Sequence, residues 1–173
     1  MISCGFIKKY HPLYDCIEND ESEYKNLVRI VQKEVLKKNK IREETFIRVI
    51  RWKSSRTIWR IDRNNFSKYI KNFKKLKDSN NSERLNLLIQ LPGIRIPIAS
   101  VFLNLIWPNK YPIIDVRTIG VLRHYGHIDW SNISEKHYWE FRNEILKIKK
   151  KCQKYCLRKI DRALFYFHKK ILK

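Results

Sequence analysis

Apolar residues recur every three or four positions along most of the chain, which is the spacing of helices that bury one face. The clearest stripe runs from Glu21 to Lys38, and others follow from Glu43 to Ile61 and from Phe66 to Leu76. No pair of segments alternates apolar and polar residues at the period of two that half-buried strands require. The pattern therefore predicts an all-α fold.

Further helices are predicted in the second half of the chain, where Ser and Asp residues precede several apolar stripes. They run from Ser82 through Ile89, from about Ile96 to Trp107, from Asp115 or nearby to about Gly126, from Ser131 or Ser134 through Ile148, and from Leu157 to Ile171. Ser and Asp are favoured N-cap residues because their side-chain oxygens accept a backbone N–H of the first turn. We expect one all-α domain over residues 1–173, with residues 82–126 as its most informative segment.

The charge balance changes the picture, because 38 Lys and Arg residues against 17 Asp and Glu residues give a net charge of +21. Such an excess repels itself in the folded state and favours a polyanionic partner, nucleic acid above all. An AT-rich coding bias explains many lysines but explains the arginines less readily. An anionic membrane is the second candidate, yet no apolar run approaches the roughly 18 residues of a spanning helix. We therefore expect no membrane association.

Four cysteines are present, at positions 4, 16, 152 and 156, and no apolar leader segment precedes them. This number is too low for a disulfide scaffold, so we expect reduced, partly buried thiols in a cytoplasmic protein, associated with the nucleoid in a bacterium. A metal or iron–sulfur site built from all four is the alternative. It is less favoured because the tight cysteine pairs typical of such sites are missing.

The LPGIR stretch, residues 91–95, has the composition of a tight turn between two apolar helices. Gly93 allows the backbone to come close to a ligand, and the N–H groups of the turn and of the next helix start point outward. The helix dipole adds partial positive charge there, and Arg95 adds a full one. Pro92, Gly93, Ile94 and Arg95 are therefore candidates for contact with a nucleic-acid backbone.

Two segments around this turn carry a more specific signal. Residues 91–99 read LPGIRIPIA, and residues 111–122 read YPIIDVRTIGVL. This pair of segments resembles the helix-hairpin-helix, Gly/Pro-loop, aspartate (HhH-GPD) superfamily of DNA glycosylases, whose members show L-P-G-V-G-x-[K/x]-T-A and then V-D-x-H/R-V. The resemblance covers about thirty residues. It implies a two-lobed helical fold with a cleft between the lobes, and it makes Asp115 the counterpart of the catalytic aspartate.

The chain departs from the family pattern at two hairpin positions. Pro97 stands where bifunctional members carry a lysine, and the 18-residue interval (115 − 97) to Asp115 equals that of the family. Proline cannot attack a sugar carbon, so lysine-dependent lyase activity at this position is excluded. Arg95 replaces the second hairpin glycine, where the family pattern allows a monovalent cation. We expect no metal ligands and no other cofactor.

One carboxylate suffices for the implied chemistry. Cleavage of an N-glycosidic bond develops positive charge on the deoxyribose, as in other glycoside reactions with oxocarbenium-like transition states. An ionised Asp115 stabilises that charge or orients the attacking water. A structural role is the alternative, in which Asp115 caps the next helix. The two roles are compatible.

A glycosylase must also hold its target base outside the double helix, between aromatic or apolar groups. Trp52 and Tyr111 are the candidate walls of that pocket, and Lys53, Arg56 and Arg117 are candidate contacts to DNA. Trp59 lies seven residues after Trp52, on roughly the same helical face. Against this interpretation, tryptophans at helical spacing are usually core residues and neighbouring cations are usually solvated.

These observations predict a monomeric protein that binds double-stranded DNA and excises a damaged or modified base by hydrolysis. Two other functions remain open. One is a non-catalytic helix-hairpin-helix module that binds nucleic acid, and the other is an RNA-directed or mobile-element defence protein. Basicity and the hairpin are expected in all three.

Overall fold

The helical periodicity of the sequence is realised in nearly every stripe. A computed structural model describes residues 1–18 and 20–172, and within these residues it contains nine α-helices and no strand. They are α1 Cys4–Tyr10, α2 Glu21–Gln32, α3 Glu43–Ser54, α4 Ser67–Lys75, α5 Asn81–Ile89, α6 Ile96–Ile106, α7 Val116–His124, α8 Glu135–Lys151 and α9 Leu157–Lys170. The prediction of an all-α fold is confirmed.

Two predicted helices change geometry before they end. The first continues from α2 into a π-helical turn over Lys33–Lys37, and the second passes from α3 into a 3-10 turn over Ser55–Arg60. Further 3-10 turns cover Pro12–Cys16 and Arg63–Asn65. The periodic pattern cannot distinguish these geometries, because one turn of each leaves a similar spacing of apolar residues.

The start of α5 differs from the prediction that Ser82 is its N-cap. Asn80 takes that position: its side chain accepts from the Glu83 N–H at 3.0 Å, and the Glu83 carboxylate accepts from the Asn80 N–H at 2.9 Å. This reciprocal pair satisfies two N–H groups, whereas Ser82 would satisfy one. At α8, Ser134 is the N-cap, as one of the two predicted alternatives has it.

The chain divides into two compact units. One comprises residues 1–22 and 108–173, and the other comprises residues 23–107. The core of the second unit is aromatic: Phe46 stacks on Phe102 with ring centroids 4.9 Å apart, and Tyr69 and Phe73 pack edge-on against Phe46. Such pairs stabilise a core beyond the area they bury. The prediction of one domain over the whole chain stays a prediction.

In the unit formed by residues 1–22 and 108–173, α9 packs against α1 and α7. Two nearly buried arginines of α9 are held by carboxylates from the amino-terminal segment. Arg158 pairs with Asp20 at 2.6 Å, and Arg162 pairs with Glu21 at 3.1 Å. A buried guanidinium is tolerated only with such partners, so these ion pairs tie the two ends of the chain together.

The structure corrects the expectation of four reduced cysteines. Cys4 and Cys152 form a disulfide bond that joins α1 to the end of α8, 148 residues apart in sequence. Cys16 and Cys156 are free and exposed. A metal site that uses all four sulfurs is therefore excluded in this state.

No helix in the described part of the chain is both long and apolar enough to cross a bilayer.

Candidate nucleic-acid interface and the Asp115 site

The LPGIR turn joins α5 to α6 as the sequence predicts. The Ile94 N–H donates to the Leu91 carbonyl at 3.0 Å, which closes a four-residue turn with Pro92 and Gly93 at its centre. Gly93 has a φ of +78°, which a type II turn requires at its third position and which glycine adopts without steric cost. The turn therefore depends on both central residues, since proline presets the angle at the second position.

The close approach that Gly93 permits is to the chain itself. A Cβ at position 93 would lie 2.6 Å from the Arg60 carbonyl oxygen and 2.9 Å from a methyl carbon of Ile61. The sequence pattern predicted that this glycine lets the backbone approach a ligand. Instead, the side-chain direction of Gly93 is filled by the Ser55–Arg60 turn and the residue after it.

Tyr69 holds the hairpin in place, although the sequence pattern did not indicate it as part of the site. Its hydroxyl donates to the Pro92 carbonyl at 2.8 Å and accepts from the Asp62 N–H at 3.0 Å. Burial raises the pKa of Tyr69, so the hydroxyl keeps the proton that it donates. Its position in the α4 apolar stripe predicted only a core residue, and the role of its oxygen depends on residues distant in sequence.

The predicted phosphate contacts of the hairpin fall into two groups. Pro92 and Arg95 are exposed, whereas Ile94 is 4% exposed and its N–H is used within the turn. Ile94 therefore anchors the hairpin in the core, and this placement argues against direct contact with DNA. Pro97 lies in the first turn of α6, where a missing N–H costs no intrahelical hydrogen bond.

Asp115 is the N-cap of α7 and is half-buried. One carboxylate oxygen, Oδ1, accepts from the Arg117 N–H at 2.9 Å and the Thr118 N–H at 3.0 Å. The Thr118 hydroxyl accepts in turn from the Asp115 N–H at 3.1 Å. These donors and the dipole of α7 interact favourably with a negative carboxylate and fix its orientation. The alternative structural role is therefore realised, and it leaves the catalytic role compatible.

The two residues after Asp115 differ in exposure. Val116 is 66% exposed, which is unusual for a large apolar side chain and places it at the surface beside the carboxylate. Arg117 is half-buried, and its guanidinium lies 4.7 Å from the centre of the Phe165 ring. This cation–π contact holds Arg117 on α9 but still leaves part of the guanidinium at the surface.

The candidate base-pocket residues of the second unit separate in the structure. Trp52 is half-buried and packs against Tyr24, with ring centroids 5.9 Å apart, and Lys53 is also half-buried. Trp59 is 76% exposed, and the Arg60 guanidinium lies 4.8 Å from its ring centre. Arg56 is exposed on the same short turn. Because α3 ends at Ser54, the helical spacing of Trp52 and Trp59 does not persist.

Tyr111 is fully buried. Its ring lies in the core of its unit, with the Arg142 guanidinium 5.4 Å from the ring centre. This placement argues against Tyr111 as the wall of an open pocket. The apolar segment around it predicted burial equally well.

Histidine, cysteine and acidic side chains form no cluster of three or more that suits a metal ion within residues 1–18 and 20–172.

The chain matches no known family model, no curated protein and no solved structure. The resemblance to HhH-GPD glycosylases therefore rests on the LPGIR and IIDVR segments themselves.

Proposed function

We propose that this protein is a monofunctional DNA glycosylase of the HhH-GPD type, which hydrolyses the bond between a base and its deoxyribose. We further propose that its two compact units correspond to the two lobes of that fold. The observation that carries the proposal is the order of two features: a tight Pro92–Gly93 hairpin, and then a half-exposed aspartate at a helix start, 18 residues (115 − 97) after Pro97.

The hairpin has the properties of a phosphate-binding turn. Helix α6 presents the N–H groups of its first turn and the positive end of its dipole at the same end as the exposed Arg95. Contacts of this type hold a DNA backbone without reading its bases. The net charge of +21 supports a polyanionic partner in general.

Asp115 supplies the chemistry in this proposal. As the base leaves, positive charge develops on the sugar, and a fixed carboxylate stabilises it without reorganisation. The bonds from the Arg117 and Thr118 N–H groups to Oδ1 hold the side chain in one orientation. The same carboxylate orients the water that adds to the sugar carbon, and an abasic site results.

Trp59 is the residue that we propose contacts exposed bases. It lies on the turn that packs against Gly93, so it belongs to the same rigid surroundings as the hairpin. An exposed indole with arginines on either side in sequence, Arg56 and Arg60, combines a stacking surface with phosphate-binding charge. Trp52 and Lys53, which are half-buried, stay candidates for the pocket wall and for a DNA contact.

A panel of duplexes tests the proposal. Oligonucleotides that carry uracil, mismatched thymine, oxidised purines or alkylated purines are incubated with the protein, and abasic sites are scored by alkaline cleavage. At least one duplex is expected to release its base. Asp115→Asn should abolish the release and leave duplex affinity within a few fold. Base release at an undiminished rate by Asp115→Asn would refute the assigned chemistry.

A non-catalytic DNA-binding module is the second candidate, and a full panel without any base release would favour it. Because Pro97 replaces the lysine of bifunctional members, borohydride should trap no covalent adduct between abasic DNA and position 97. A trapped adduct at another lysine would show a lyase activity that this proposal lacks.

A further inference from the structure

A second concentration of positive charge lies in the unit of residues 23–107. It surrounds a concave pocket of about 320 Å³ between the end of α2 and the start of α3. Five cations and one carboxylate line the pocket. They are Arg29, Lys33, Lys38, Lys40, Arg42 and Glu34. Like charges around one depression repel each other and raise the local concentration of anions.

The only acidic residue of the lining is committed to the protein. Glu34 is 3% exposed, and its carboxylate accepts from the Arg42 N–H at 2.9 Å, from Arg42 Nε at 2.5 Å and from the Thr45 hydroxyl at 2.8 Å. These bonds compensate its burial and hold the start of α3 against the end of α2. The carboxylate therefore organises the pocket more than it neutralises the surrounding lysines.

The loop that carries the lysines is held by its own backbone. The π-helical turn brings the Lys38 N–H to the Lys33 carbonyl at 3.2 Å, and the Lys40 N–H reaches the Glu34 carbonyl at 3.1 Å. Asn39 between them has a φ of +49°, so the chain reverses there. Lys33, Lys38 and Lys40 are exposed, and none of them forms an ion pair with another described residue.

This pocket is separate from the hairpin. Gln32, at the end of α2, donates to the Ile106 carbonyl at 3.1 Å, so the pocket lies toward the carboxyl end of α6. The hairpin precedes the amino end of the same helix. Eleven helical residues span roughly 16 Å at 1.5 Å per residue. One ligand phosphate cannot contact both places.

We propose that the pocket lined by Arg29, Lys33, Lys38, Lys40 and Arg42 is a second phosphate-binding site, occupied by a backbone phosphate of bound nucleic acid. Lysine ammonium groups act as point charges toward a phosphate, and the two arginines add directional donors. The site goes beyond the proposed glycosylase function, because it requires nucleic-acid binding but no chemistry at Asp115.

The salt dependence of DNA affinity tests the site. Lys38→Ala/Lys40→Ala removes two exposed side chains and keeps the backbone bonds of the loop. Lys68→Ala/Lys71→Ala on α4 removes the same charge from exposed positions of the same unit outside the pocket, and serves as the control. By fluorescence anisotropy, the pocket variant should reduce the slope of log K against log salt by up to about 1.8, at about 0.9 per phosphate lost. The control should reduce it by less than half as much.

A second measurement identifies the source of the phosphate. Pyrophosphate is titrated against wild-type protein and the pocket variant, and amide chemical shifts of residues 33–42 are followed by NMR. Saturable shifts in the wild type alone, with an unchanged DNA slope in the variant, would retain the phosphate site but assign it to a free phosphorylated molecule. Equal slopes for both double variants, without pyrophosphate shifts, would overturn the proposal.

Base release separates this proposal from the proposed function. If no duplex loses a base but the slope falls in the pocket variant only, the phosphate site stands and the glycosylase does not. If bases are released and the slope is unchanged, the reverse holds.

Discussion

Gly93 packs against the backbone carbonyl of Arg60, so closely that a methyl group at position 93 would lie 2.6 Å from that oxygen. This relationship joins the hairpin to the Ser55–Arg60 turn, although the two are more than thirty residues apart in sequence. It brings a candidate phosphate-binding turn and the exposed ring of Trp59 into one rigid body. The contact therefore requires a residue without a side chain at position 93.

Gly93→Ala should lower the free energy of unfolding by about 2–4 kcal/mol. About 1 kcal/mol arises from the positive φ, and the remainder arises from the collision with a backbone oxygen that cannot rotate away. Gly126→Ala is the matched control, since Gly126 has a φ of +69° and nothing within 4 Å of an added Cβ. Urea denaturation of both variants isolates the contact. Equal losses would mean that the hairpin does not pack on Arg60.

Asp115→Ala should destabilise the protein by about 0.5–2 kcal/mol, because the Arg117 and Thr118 N–H groups lose their acceptor. Asp115→Asn should lose only a few tenths of that amount, because asparagine is an equally good N-cap. Thermal melts monitored by circular dichroism measure both. The pair matters for function, because a loss of base release in a normally stable Asp115→Asn cannot be attributed to unfolding.

Cys4→Ser should reduce stability by about 2–4 kcal/mol, since the disulfide to Cys152 closes a loop across most of the chain. Addition of dithiothreitol to the wild type should have the same effect. Cys16→Ser and Cys156→Ser alter exposed free thiols and should leave stability unchanged. A wild type that is insensitive to reductant would show that the bond makes no contribution.

Trp59→Ala should leave the melting temperature nearly unchanged, because the side chain is 76% exposed. Its affinity for DNA with an unpaired base should fall by about 1–3 kcal/mol, roughly 5- to 150-fold, because a stacking contact is lost. Trp59→Phe keeps an aromatic face and should recover most of the affinity. Equal affinities of all three proteins for such DNA would remove Trp59 from the interface.

Arg95→Ala should weaken binding to all duplex sequences alike and lower the slope of log K against log salt by up to about 0.9. Arg95 is exposed beside the first turn of α6, so its loss should not affect folding. Lys71→Ala removes one exposed charge elsewhere in the same unit as a control. A slope that changes equally in both would mean that the hairpin does not touch phosphate.

The candidate site could be predicted from the sequence where its geometry is local. The turn at Pro92–Gly93 and the N-cap at Asp115 depend on bonds between residues two to three positions apart, so residue type and spacing indicate them. The role of the Tyr69 hydroxyl could not be predicted, because its acceptor is Pro92. The burial of Tyr111 also depends on packing against other helices.

Positions and charge along the chain by themselves determined that this protein is helical, basic and turned sharply at LPGIR, because helical periodicity, turn preference and net charge act over a few residues or as a sum. Tertiary structure alone decided that Cys4 meets Cys152, that Gly93 faces Arg60 and that Arg158 is balanced by Asp20. These pairs depend on which helix faces become neighbours. That choice is made by the packing of the whole core, and no local pattern encodes it.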